Sequence, residues 1–305
     1  MAWGSIILTV IGLSVFEIIS SIDNAIINAD VLQTMGQKGR KWFLFWGMLF
    51  AVFVVRGLLP WLIVWISVPG VGPVAALSAA FNSDHHTESL IEASAPPLLI
   101  SAGIFLVFLF FRWLFLERKL FGAEGVKAFK SLVVWLLAIL SILAIVIHSE
   151  ITNQNYKLVF GVLVGLAVYF VSSVFKSLAE TDEAKLVQKR STDLHKILYL
   201  EIIDATFSVD AVFGAFAFTL SVPLIFLGNG IGSYVVRHFT VSNIERIKKY
   251  VFLKNGAMYS LFVLGLVMIL NSLGYEIKSW VSPIITLLIV GFFLYRSVMK
   301  QPVKA

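Results

Sequence analysis

A chain of 305 residues that is 59% hydrophobic, only 14% charged and +0.90 in mean hydropathy is not a soluble globular domain, which carries about a quarter charged residues. It has no cysteine, which excludes disulfides, thiolate metal centres and cysteine nucleophiles. Oxygen and imidazole remain as metal ligands, a set suited to Mn²⁺, Ca²⁺ or Mg²⁺ rather than Cu⁺. The net charge of +6 lies in alternate loops, where it reads as topology and not as a nucleic-acid surface.

A membrane helix needs roughly 20 mostly apolar residues. Nine stretches qualify, at about 4–30, 42–66, 96–116, 131–148, 156–176, 196–220, 222–240, 256–272 and 281–299, the seventh being interrupted by Gly228, Asn229, Gly230 and Gly232. The first has no basic leader and carries Glu17 and Asp23, so it is expected to stay as a span and not to be cleaved. Of the 24 basic residues, 19 fall between spans one and two, three and four, five and six, seven and eight, or in the tail. Lys176 and Lys196 are counted with the third of these groups. The alternation predicts an outside N-terminus and an inside C-terminus.

Span one contains Glu17-Ile18-Ile19-Ser20-Ser21-Ile22-Asp23-Asn24, and span six contains Asp204-Ala205-Thr206-Phe207-Ser208-Val209-Asp210-Ala211. At an offset of 187 residues Glu17 meets Asp204, Ser21 meets Ser208, and Asp23 meets Asp210. A second echo pairs Gly47–Arg56 with Gly228–Arg237, each ending Val-Val-Arg. The motif recurs five spans later, and an odd shift reverses direction across the membrane. The predicted architecture is therefore all-α and polytopic, with an inverted repeat: spans one to four match six to nine, and span five connects them. In residues this gives a first repeat at 1–148, a connector helix and cytoplasmic loop at 149–195, and a second repeat at 196–305.

Helical spacing sets Glu17, Ser20, Ser21, Asn24 and Asn28 on one polar stripe, with Asp23 beside it, and Glu201, Asp204 and Ser208 on another, flanked by Asp210. Ionisable groups at membrane depth are costly and mark ion or substrate pathways. Brought together, Glu17, Asp23, Glu201, Asp204 and Asp210 with Ser21, Asn24 and Ser208 would furnish the oxygen shell of a divalent cation. Arg56 and Arg237 would balance charge when the cation is absent. Helix breaks near Ser20-Ser21 and Phe207-Ser208 would free carbonyls for the ion. In the largest outer loop, Asp84, His85, His86 and Glu88 form a secondary cluster able to contact metal, weighed against ordinary solvation.

The motifs at Ser21–Ala29 and Leu200–Asp210, with Arg56, Arg237 and the Gly256–Leu270 stretch, resemble those of TerC-type integral membrane proteins, most closely an uncharacterised bacterial branch. The resemblance implies cation export, since several members are implicated in manganese or calcium efflux and some are linked to tellurite resistance. It transfers a site to Glu17, Asp23, Asn24, Asp204, Ser208 and Asp210. One departure is Lys254-Asn255 ahead of Gly256, where that branch often has an acid and a histidine.

The function these features predict is a divalent-metal exporter of the bacterial inner membrane, Mn²⁺ first and Ca²⁺ second, multi-pass and working by alternating access, with proton coupling open. No catalytic residue, resident cofactor or nucleic-acid partner is expected; the partners are the metal, lipid and, in a homo-oligomer, a second copy. An intramembrane lipid-pyrophosphate phosphatase and a non-transporting scaffold linked to metal or tellurite stress are the alternatives.

Overall fold

The computed structural model describes residues 3–67, 72–74, 85–116, 127–151, 156–188, 192–247, 250 and 252–299. Regular structure among them is helical throughout, with no strand. The chain is an all-α, polytopic membrane protein. In order come α1 (Trp3–Ser20), α2 (Ile22–Gln33), α3 (Gln37–Trp42), two π-helical stretches (Phe43–Gly47 and Phe50–Val55), α4 (Arg56–Ser67), α5 (His85–Leu116), α6 (Lys127–Ile151), α7 (Lys157–Gln188), α8 (Asp193–Ala215), α9 (Val222–Ile247), α10 (Leu253–Ser272) and α11 (Val281–Met299).

Among the described residues six segments are long and apolar enough to cross a membrane: Trp3–Ser20, Gln37–Leu59, Ala95–Phe115, Lys157–Ser177, Leu253–Ser272 and Val281–Met299. Helices α8 and α9 are not among them, and the reason is chemical. They carry Glu201, Asp204, Asp210, Asn229 and Arg237, the polar groups of the second motif, and all five are buried.

Helix α5 is the centre of the bundle. Every residue from Ser101 to Phe110 is buried, so its flanks are covered by α7 on one side and α10 on the other. Both contacts depend on missing side chains. A Cβ on Gly165 of α7 would lie 2.3 Å from the Ser101 carbonyl. On the α10 side, a Cβ on Gly103 would lie 2.8 Å from the Gly265 carbonyl, and one on Gly265 3.0 Å from the Gly103 carbonyl. Small residues let membrane helices approach this closely, where dispersion and not water drives association. Helix α1 packs on α9 and α11, and the turn between α8 and α9 is itself in the core, with Phe216, Phe218 and Val222 each 2% exposed.

Two sequence expectations are corrected. The break at Ser21 exists, since α1 ends at Ser20 and α2 begins at Ile22, but α8 runs unbroken through Phe207 and Ser208. The break also leaves no carbonyl of Glu17 vacant. It accepts the Ser21 amide at 3.1 Å and the Ser20 hydroxyl at 3.2 Å. Nor are Lys176 and Lys196 loop charges: they are 7% and 5% exposed. The 32-residue α7 continues to Gln188, which puts Lys176 about 18 Å short of its end at 1.5 Å per residue.

Candidate functional site

Arg56 stands where the π-helical stretch returns to α-helix. The wide turn lets its amide bond the Ala51 carbonyl, and its own Nη1 reaches back to that oxygen at 3.3 Å. Pro60, one turn on, has no N–H for the Arg56 carbonyl, so local chemistry favours irregular winding here. π-Helical turns recur at functional sites. The guanidinium, 2% exposed, donates from Nε and Nη2 to Glu17 Oε1 at 3.0 and 2.6 Å, and from Nη1 to Asp204 Oδ2 at 3.4 Å. Glu17 is fully buried and also accepts the Ser21 hydroxyl at 3.0 Å.

Arg237 of α9 holds the other side. Its Nη2 donates to Asp204 Oδ2 at 2.8 Å and its Nη1 to the Phe43 carbonyl at 3.2 Å, and the guanidinium lies 4.6 Å over the Phe43 ring. Glu201 Oε1 is 3.8 Å from Nη1, an ion pair without a hydrogen bond. Asn24 of α2 donates its amide to Asp204 Oδ1. Asp204 is thus the hub: both arginines and one amide converge on it. The ladder reads Glu17, Arg56, Asp204, Arg237, Glu201, three carboxylates alternating with two guanidinium groups.

The contacts repeat at the sequence offsets. Glu17 binds Arg56, and 187 and 181 residues later Asp204 binds Arg237. Ser21 and Ser208 each bond back to the acid four residues before, through a carboxylate in one case and the Asp204 carbonyl, at 2.6 Å, in the other. A Cβ on Gly47 would meet Glu201 Oε1 at 2.1 Å, while Ser14 Oγ donates to the Gly228 carbonyl at 3.0 Å. Positions 14 and 201 correspond, as do 47 and 228, so each copy makes the same cross-contact to the other. The copies differ where it matters chemically. Glu201 stands opposite Ser14, and Asn24 opposite Ala211.

A narrow cleft opens beside the hub, lined among others by Ser21, Asn24, Asn28, Arg56, Asp204 and Arg237. Its free volume is about 10 Å³, room for about one water or bare cation. Among the residues lining it, Asn24 Oδ1 and Asn28 Oδ1 lack a hydrogen-bond donor. In the ladder, so do Glu17 Oε2 and both oxygens of Glu201. Buried acceptors without donors are costly and rare. Asn28 and Glu201 are both enclosed, at 4% and 8% exposure.

The predicted carboxylates do not all converge. Asp210 is 7% exposed and bound to Lys176 of α7, away from the ladder. Among the described residues no group of three or more His, Asp or Glu side chains has the arrangement of a metal site, because arginines stand between the acids. The side chain of Asp23 lies outside the described residues, as do Asp84 and the side chains of His85, His86 and Glu88 at the start of α5. The Lys176 contact has no signal in the sequence, where the apolar run stops at that residue and a polar, mixed-charge stretch follows.

Residues 22–303 match the family described as "Protein of unknown function (DUF475)", and with that extent the chain belongs to it. It is also similar to the "Uncharacterized membrane protein RP786" of Rickettsia prowazekii (strain Madrid E), 23% identical over 201 residues. That match covers 59% of this chain and 66% of the relative, just under two thirds. No solved structure matches the chain.

Proposed function

We propose that this DUF475 membrane protein is a divalent-cation transporter, and that the cation competes with the arginines for the carboxylates of the ladder. The observation that carries the reading is the pair of donorless oxygens on Asn24 and Asn28 lining a narrow cleft beside Asp204, with further donorless oxygens on Glu17 and Glu201 in the adjoining ladder. Oxygen acceptors without donors suit a hard cation such as Mn²⁺ or Ca²⁺, which takes carboxylate and amide oxygens. Arg56 and Arg237 occupy the carboxylates when no cation is bound. A cation would compete with Arg56 for Glu17 and Asp204, and the released guanidinium would swing toward the Ala51 carbonyl it already touches. Coupling that exchange to the repeat-related contacts gives alternating access.

The resemblance to TerC-type proteins supports export as the direction and manganese as the first ion to try, at the bacterial inner membrane. The phosphatase alternative is less well supported. It needs arginines open to phosphate, and both are engaged by carboxylates. A scaffold has no use for buried acceptors that lack donors.

The test is flux in proteoliposomes with Mn²⁺, Ca²⁺ and Mg²⁺, comparing the native protein with Glu17→Gln and Asp204→Asn. Saturable flux of one ion, lost in both folded variants, is the expected result. Absence of flux and of metal binding by the folded native protein would end the transporter reading and advance the scaffold.

A further inference from the structure

Helices α10 and α11 are both apolar enough to span a membrane, and they pack on each other. Between the start of α10 and the end of α11 lies a cavity with a free volume of about 170 Å³, lined by Phe252, Asn255, Tyr259, Phe292, Phe293 and Arg296. Leu288, Phe292, Tyr295 and Met299 recur on α11 at helical spacing, and each is more than half exposed. Such a stripe on a membrane span faces lipid, so the cavity opens toward the bilayer. Its walls are fixed. Tyr259 stacks on Phe293 at 5.4 Å, Phe292 meets the same ring edge-on at 5.3 Å, and the Phe252 amide donates to Ser297 Oγ at 3.0 Å.

The polar groups of the cavity are uncommitted. Among the described residues neither the Arg296 guanidinium nor the Asn255 side chain makes a hydrogen bond or ion pair. Both arginines of the ladder are held by carboxylates, whereas no acid lines this cavity. From Tyr250 to Ala305 the only acid is Glu276, in the connection at the opposite end of the two helices. Arg296 lies in the last turn of its span, the depth at which basic side chains reach lipid headgroups. The guanidinium fork matches a phosphate, and basic pockets between membrane helices bind anionic headgroups. We propose that this cavity binds an anionic phospholipid, its phosphate on Arg296 and Asn255 and the first methylenes of an acyl chain against Tyr259, Phe292 and Phe293. The inference is independent of transport at the ladder, because it concerns other residues and is read by binding.

The experiment uses the full chain, purified in a non-ionic detergent and stripped of lipid. Thermal unfolding is followed as dioleoyl phosphatidylglycerol, dioleoyl phosphatidylcholine or glycerol 3-phosphate is added. Phosphatidylglycerol raises Tm along a saturable curve, by about 5 °C at about 100 times its dissociation constant. The other two leave Tm unchanged. Arg296→Gln loses at least half of the shift, while Lys278→Gln, an exposed cation at the far end of the same helices, keeps all of it. Should Arg296→Gln not fold, Arg296→Met carries the same comparison. Native mass spectrometry of the unaltered chain, offered both lipids in equal amount, retains phosphatidylglycerol in preference and needs no variant. Equal shifts from the two lipids would make the cavity a plain apolar groove and overturn the proposal. A shift from glycerol 3-phosphate as large as that from the lipid would give the site to a soluble anion. A shift that survives intact in folded Arg296→Gln would place the lipid elsewhere. A dimer that Arg296→Gln converts to monomer, with no lipid shift in either, would give the groove to a second copy. Each of these results refutes the assignment.

Discussion

Replacing Arg56 by methionine keeps most of the side-chain volume and removes the charge that binds two buried acids. In the native protein Glu17 has no exposure and takes two of its three hydrogen bonds to Oε1 from that guanidinium, at 3.0 and 2.6 Å. In the variant only the Ser21 hydroxyl remains, and Asp204 keeps Arg237 and Asn24. Breaking a buried pair by deleting one partner costs about 3–5 kcal/mol, because the other charge stays in a low dielectric. At roughly 2 °C per kcal/mol for a chain of this size, Tm falls by about 6–10 °C. Combining Arg56→Met with Glu17→Gln removes the orphaned charge, and the double variant should regain at least half of that loss. The assay is tryptophan fluorescence during heating in detergent. Added Mn²⁺ should raise the Tm of the single variant, whose carboxylates are released, and leave the double variant unchanged. A single variant as stable as the native protein would refute the premise that Glu17 is a buried, charge-paired acid. A double variant no better than the single would assign the loss to packing.

Three further outcomes are expected. Gly232→Ala would set a Cβ 2.6 Å from Glu17 Cβ and 2.7 Å from the Ser14 carbonyl, and should cost about 1–3 kcal/mol as overpacking does, read as a fall in Tm. Gly291→Ala, on α11 with nothing within 4 Å of the added atom, should leave Tm unchanged or raise it by about the 0.5–1 kcal/mol of helix propensity; a large fall would show that this face is covered. Asn24→Leu removes an acceptor of the cleft and the amide on Asp204. In proteoliposomes it should abolish flux while the protein remains folded by circular dichroism, and unaltered flux would remove Asn24 from the ion path.

Fold class was legible because hydropathy and the scarcity of charge act over whole segments. The predicted span 256–272 lies within α10, and 281–299 coincides with α11. The partnership of Glu17 and Asp204 with Arg56 and Arg237 was legible for a related reason: ions inside apolar segments must find each other. What could not be read were facts set by tertiary contact. Lys176 looked like a loop charge because the apolar run stops there, yet α7 winds on through a polar stretch. The π-helical turns at Phe43–Val55 change which residues share a face by local winding that no periodicity announces. The break expected at Ser208 is absent: its hydroxyl bonds back to the Asp204 carbonyl within an intact helix, whereas Ser21 reaches the Glu17 side chain.

The separations along the chain between buried partners bear on how such a protein enters a membrane at all. Glu17 precedes Arg56 by 39 residues, Lys176 precedes Asp210 by 34, and Asp204 precedes Arg237 by 33. Each distance is about one helical hairpin. A lone ion at the centre of an inserting helix costs about 2.5–3.5 kcal/mol, but here the opposite charge follows within 33 to 39 residues. Each of these three pairs can therefore enter the lipid as a nearly neutral hairpin, and none of them has to wait for the other half of the molecule to be synthesised.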